Sequence, residues 1–226
     1  MGNVIILSDT TFSPITTIGE KAGICYGSNI YSADKNYKRG IEVLKSHHDR
    51  CLEFVNVEMI LSGYSARVIR EWYTHIGGSP TRLQESTRYK DYEGFGYVVP
   101  PSIEKNYDAK VQYDFMMHEI SNMMNDLQNI GIPKEDVSML LPLSMKTKIV
   151  DKRNLRNLIE MSHQRLCQRA YWEYRQLMND IIDALKEYST EWKTLVQDFN
   201  IFCPKCDLTG KCIEKKGCGR YEQCKH

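Results

Sequence analysis

Between residues 73 and 89 the chain reads YTHIGGSPTRLQESTRY. Arg82 and Arg88 carry planar, forked donors that suit a phosphate or a carbonyl edge. Gln84, Ser86 and Thr87 add neutral donors and acceptors of the kind that orient a heterocycle. Gly77 and Gly78 let the backbone approach a planar or charged ligand. A solvated helix-to-strand connection is the ordinary reading of a polar stretch, but this density of hydrogen-bonding groups points to a cradle for a ligand.

A second set lies in RNLRNLIEMSHQRLCQRAYWEYR, residues 153–175. On a helix, Asn154, Leu158, Met161 and Arg165 fall on one stripe. At about 1.5 Å per residue, Asn154 and Arg165 stand roughly 16 Å apart, about the span of a nucleotide, with an apolar floor between polar ends. The competing reading is a solvated face, on which Arg156 and Glu160 form an ion pair four residues apart.

A third set is the cysteine series Cys203, Cys206, Cys212, Cys218 and Cys224. A C-x-x-C pair with further cysteines is a zinc spacing, and a structural zinc would need four thiolates at about 2.3 Å. Free thiols are the competing and preferred reading, so no metal ligand is expected. A metal would in any case staple the tail rather than do chemistry.

The elements that must position these groups mix helix and strand. VIILS reads as a buried strand, and SPITTIGEKAGICY as a helix opened by Ser13 with Pro14 at its first position. YSADKNYKRGIEVLKSHH continues as a charged helix capped by Ser32 or Asp34. FVNVEMIL alternates like a strand. GYSARVIREWYTHI places Tyr64, Val68, Trp72 and His75 or Ile76 at helical spacing. YEGFGYVVPP reads as a strand stopped by prolines. A long helix from Asn106 stops at Gly131, with Pro133 beyond. The longest helical region is expected from about Lys152 to Tyr188, with a shift of register near Cys167. These readings give an α+β domain, a small sheet packed with long helices.

The 226 residues are 42% hydrophobic and 26% charged, ordinary for a globular protein. A formal net charge of +1 speaks against a nucleic-acid surface, and with it against a zinc-knuckle binding module. No apolar run approaches the roughly 20 residues of a membrane span, so no membrane partner is expected. Eight cysteines behind an N-terminus that does not read as a secretory signal imply a reducing, cytoplasmic compartment and free or metal-bound thiols.

In order along nearly the whole chain, these segments resemble the flavin-dependent thymidylate synthases. REWYTHI, with His75 in the middle position, stands where the family has Arg-His-Arg at a helix end, and QESTRY where it has Glu-x-Ser-x-Arg. HDRCLE, from His48, is similar to the family's His-x-Ser-x-x-Glu. LLPLSMKT, NLR and RLCQRAYWEYR follow like its Leu-Pro strand, its Asn-x-Arg and its Arg-led helix. The tail FCPKCDLTGKCIEKKGCGR resembles the ending of bacterial members.

The resemblance implies a small, mostly antiparallel sheet packed with long helices, with residues 1–200 as one catalytic domain and 201–226 as a cysteine-rich tail. It implies FAD, with NADPH and methylenetetrahydrofolate as co-substrates, dUMP as substrate, and a homotetramer with shared active sites. A sibling enzyme that methylates or hydroxymethylates UMP or dCMP is the alternative. Gln84, Glu85, Ser86, Thr87 and Arg88 match the nucleotide segment, and Glu71, Thr74, Arg82 and Ser138 join it. Arg165 matches the catalytic arginine that grips the pyrimidine edge. For the flavin, the matching residues are Thr74, His75 and Ile76, then Asn154, Leu155 and Arg156, with His48, Arg50, Gln84 and Glu160 beside them.

The chain also departs from the pattern. Thr74 and Ile76 replace both arginines of the triplet, Gln84 replaces a glutamate, and the loop is two residues longer. Phe54 replaces a histidine and Arg50 a small hydroxyl residue. Glu160 falls where Asn or His is usual, and Ser138 where an arginine precedes the Leu-Pro. Arg50 and Arg82 are the cations placed to compensate.

Overall fold

The computed structural model describes residues 2–92 and 94–222. Four strands, β1 (Asn3–Ile6), β2 (Asn56–Ser65), β3 (Thr81–Gln84) and β4 (Lys146–Asn154), form an antiparallel sheet in the order β1-β2-β4-β3. Strict alternation explains β2, where Val57, Met59 and Leu61 turn inward and are buried. The chain separates into two compact units.

One unit holds Leu61–Thr74 and Leu83–Ile149. Its helices are α3 (Ala66–Trp72), α4 (Pro101–Glu104), α5 (Tyr107–Asn129) and α6 (Lys134–Val137). Ser65 caps α3 by accepting the Val68 N–H, and Asn106 caps α5 by accepting that of Ala109. Gly131, with positive φ, ends α5 ahead of Pro133. The core gathers Tyr92, Phe95, Met117, Met124, Val137 and Met145.

The other unit holds Val4–Ile60, His75–Arg82 and the chain from Val150 onward. Its helices are α1 (Pro14–Cys25), α2 (Ala33–Lys45), α7 (Leu155–Arg165), α8 (Trp172–Tyr188), α9 (Thr190–Gln197) and α10 (Lys205–Thr209). Pro14 occupies the first turn of α1 as expected, although the Ser13 side chain makes no capping bond. Ser32, not Asp34, caps α2 by accepting the Lys35 N–H. The two helices touch backbone to backbone. A Cβ on Gly19 would collide with the Asn36 carbonyl oxygen, and one on Gly40 with that of Ile15. The chain after α8 is tied to residues 7–16: Trp192 Nε1 donates to Thr11 O at 2.9 Å, and Thr16 Oγ donates to Glu191 at 2.6 Å.

Four sequence readings need correction. The helix expected from Lys152 starts only at Leu155, because residues 146–154 form β4, and the segment to Tyr188 breaks between α7 and α8. α5, at 23 residues, is longer than either. Tyr64 belongs to β2, and α3 ends at Trp72, so His75 and Ile76 lie beyond it. The described residues of YEGFGYVVPP make an isolated bridge, Tyr97 with Met145, and no strand, while residues 81–84 of the presumed loop form β3.

Candidate active site

In the first unit, the nucleotide-type segment leaves β3 and turns at the surface. Gln84 Nε2 donates to the buried Thr147 hydroxyl at 3.2 Å, and the Glu85 N–H donates to Lys148 O at 2.9 Å, which anchors the start of the turn to β4. Ser86 Oγ accepts the Arg88 N–H, and Thr87 is partly exposed between them. Glu85 pairs with Lys90 at 2.9 Å. Arg88, 63% exposed at its side chain, reaches Glu135 at 3.0 Å. Ser138 is near, since its hydroxyl donates to the Glu135 carbonyl at 2.7 Å. The structure therefore brings Arg88 onto α6, next to position 138 at its C-terminal end. Glu71 and Thr74 meet at the end of α3, where the Thr74 hydroxyl caps the Glu71 carbonyl at 2.7 Å.

In the second unit, the polar residues collect along α7. Asn154 is the helix cap, its Oδ1 accepting the Asn157 N–H at 2.9 Å, and Leu158 and Met161, the expected apolar floor between polar ends, are fully buried in the core instead. Gly78, at φ +69, is pressed against that cap: a Cβ there would strike Asn154 Nδ2, and one on Gly77 would lie 2.9 Å from Asn157 Nδ2. The glycine pair thus lets its own loop reach α7, which corrects the reading of it as a ligand-facing gap. Leu155 is fully buried and its N–H donates to Val55 O, so neither its side chain nor its N–H is presented to a ligand. Arg156, 44% exposed at its side chain, pairs with Glu53 at 2.6 Å and Glu160 at 3.3 Å. His48 and Arg50 are exposed at the 3-10 turn of residues 49–54, which packs against α7. Arg82 sits half-buried on β3.

At the far end of α7, Arg165 Nε donates to His75 Nε2 at 3.0 Å. Its guanidinium carbon lies 4.5 Å from the centroid of the Tyr174 ring. Burial first, then the charges of Arg165 and Arg153, depress the His75 pKa to about 4. Arg153 was missed by the sequence reading. It is fully buried on β4, makes a two-pronged ion pair with Asp151 at 2.6 and 2.7 Å, donates to Asn157 Oδ1 at 2.7 Å and touches Met161 Sδ. The signal was present in Asp-x-Arg, because residues two apart on a strand share a face.

A cavity of about 690 Å³ adjoins Arg165, walled by residues 160–170 and by the cysteine tail through Cys206, Cys212 and Cys218. Burial raises the pKa of Cys203 and Cys206, so both are thiols at neutral pH. Among the described residues no group of three His, Cys, Asp or Glu is arranged to hold a metal, and Cys224 lies outside them.

The donor set fits a flavin dinucleotide at the start of α7. Arg156 and Arg50 are exposed cations for a diphosphate beside a helix N-terminus. Ile76, 70% exposed, and the neutral His75 ring offer apolar and aromatic surface to a planar ring system.

Comparison with known proteins places the fold and the family. The fold is shared with thymidylate synthase X of Helicobacter pylori, solved with FAD and dUMP: TM-score 0.70 at 20% identity, covering 87% of this chain and 98% of that one. The flavin-dependent thymidylate synthase of Nitratidesulfovibrio vulgaris is 29% identical over 189 residues, 79% of this chain and 74% of that protein. That of Clostridium tetani is 25% identical across 100% of this chain and 96% of its own length. Residues 7–189 match the Thy1 family, thymidylate synthase complementing protein. The chain belongs to that family.

Proposed function

We propose that this chain is a flavin-dependent thymidylate synthase, which moves a one-carbon unit from methylenetetrahydrofolate onto dUMP and reduces it to the methyl group of dTMP. Bound FAD, reduced by NADPH, supplies the hydride that completes the methyl group. The observation that carries the reading is a fixed cation, Arg165, held between His75 and Tyr174 in a chain of this family. Arg165 grips the pyrimidine edge and favours its anionic form, as a preorganised donor does wherever charge develops. Gln84, Glu85, Ser86, Thr87 and Arg88, with Glu71, Thr74 and Ser138, bind the nucleotide, and Arg82 supplies phosphate charge that Ser138 cannot. Arg156, Arg50, His48, Asn154, Ile76 and Glu160 hold the flavin. No cysteine nucleophile on the protein is required, in keeping with thiols that burial keeps protonated.

The working enzyme is a homotetramer. α5 supports this: of its 23 residues only Met117, Ser121 and Met124 are buried, while Val111, Phe115, Met116 and Met123 lie exposed, an apolar surface suited to a second copy. Cysteines that form no disulfide among the described residues suit a cytoplasmic enzyme, and no described helix is long and apolar enough to cross a membrane.

A substrate screen tests the function. Protein with FAD, NADPH and methylenetetrahydrofolate is offered dUMP, UMP and dCMP, and products are read by mass. Methylation of dUMP is expected. A one-carbon gain on UMP or dCMP alone would assign the sibling activity, and a protein that binds no FAD in the presence of dUMP would sink the reading.

A further inference from the structure

An arginine that activates a substrate must present one face in one direction, and the contacts that restrain Arg165 include a hydrogen bond and a ring. Its Nε–H donates to His75 Nε2 at 3.0 Å. The Tyr174 ring lies against the guanidinium, 4.5 Å from centroid to Cζ. Tyr174 is itself fully buried and meets His75 edge to face, with centroids 6.1 Å apart and planes at 74°. A directional bond and a ring across the face together fix the guanidinium plane.

We propose that His75 is a positioning residue for Arg165: as a neutral imidazole protonated on Nδ1, it accepts the Arg165 Nε–H and sets the guanidinium against the pyrimidine. This rests on the reading of Arg165 as the cation that activates the substrate. The charge requirement follows from the bond itself, since only the Nδ1–H tautomer leaves the Nε2 lone pair to accept. The surroundings of His75 agree. Arg165 faces it from α7, and Arg153, buried with its counter-ion Asp151, acts on it from β4. Tyr174 faces it from α8 edge to face. Glu160, the carboxylate beside the neighbouring Gly77, is engaged by Arg156. A protonated imidazole would point an N–H at an N–H and push the guanidinium away.

The test uses the full chain loaded with FAD. In nitrogen-15 histidine NMR, the signal that disappears in His75→Gln should report a neutral ring with the Nδ1–H tautomer at pH 7, and Arg165→Ala should abolish that tautomer preference. In calorimetric titration with dUMP, His75→Ala should raise Kd about tenfold, the loss of a charged hydrogen bond. His75→Gln, whose Oε1 can accept the same N–H, should return Kd to within about threefold of the original. An imidazolium or an Nε2–H tautomer overturns the proposal. So does Gln failing as badly as Ala while circular dichroism shows both folded, since that pattern assigns His75 to direct ligand contact. If the unmodified protein binds no dUMP, the functional reading fails, and the tautomer still decides whether His75 holds Arg165.

Discussion

The polar side chains gathered at Arg153 satisfy one another out of solvent, whereas in residues 84–92 the charged ones meet in water. Arg153 is gripped by Asp151, Asn157 and Met161 with no exposed surface at its side chain, and Arg165 is fixed by His75 and Tyr174. Arg88, Lys90 and Lys134 instead reach Glu135, Glu85 and Asp91 at side chains that are mostly well exposed. The first arrangement is set before any ligand arrives. The second consists of pairs that a phosphate can replace at little cost, because exposed ion pairs are screened and weak. Under the proposed function the difference is a division of labour: electrostatic activation is built into the fold, and nucleotide capture is left adjustable.

The largest break in that contrast comes from the buried pair. Arg153→Met alone strands the Asp151 carboxylate and should cost about 3–5 kcal/mol in urea denaturation, while adding Asp151→Leu should recover most of the loss. The matching surface change, Glu135→Gln, should cost at most ~1 kcal/mol. Equal costs would show that burial makes no difference between the two regions. Next, Arg165→Ala should lower kcat by a factor on the order of 10² with FAD still bound, read by flavin absorbance. Near-normal turnover would remove Arg165 from the chemistry.

The adjustable region is probed through Arg82. Arg82→Ala should weaken dUMP binding by about 1.5–3 kcal/mol, roughly tenfold to a hundredfold in Kd, and leave deoxyuridine almost unchanged. Equal weakening of both would assign Arg82 a structural role. The last probe is pH. His75 in the folded chain refuses a proton down to about pH 4, whereas the unfolded chain takes it up near 6.5, so stability should fall as pH drops through that window. His163, lowered by burial, adds in the same direction. His75→Gln should flatten the slope, as thermal melts across the window would show.

The same contrast explains what could be read from the residues alone. Ser32, Gly131 and Pro133 announce helix ends by local chemistry, and the structure places those ends where they point. β4 escaped because its inward positions are Thr147, Ile149, Asp151 and Arg153. Read by hydrophobicity, a strand that turns a salt bridge inward looks like the polar start of a helix. YEGFGYVVPP misled in the opposite sense. Its β-type residues are genuine, but beyond the one bridge its aromatics are spent in the Phe95–Tyr97–Tyr113 ring contacts. At the candidate site, the arginines and His75 stand out by type, whereas Tyr174 does not. It reads as one more apolar position on α8, and only the fold brings it beneath Arg165.

The contact of α1 with α2 has a meaning for heredity. At Gly19 and Gly40 the opposing backbone fills the space where any other residue would begin, so drift along this lineage is closed at both positions. Neighbouring core sites can trade Ile for Val or Leu and wander. These two cannot take a first step unless the helices part, and they should record ancestry longer than the charged surface turn of residues 84–92.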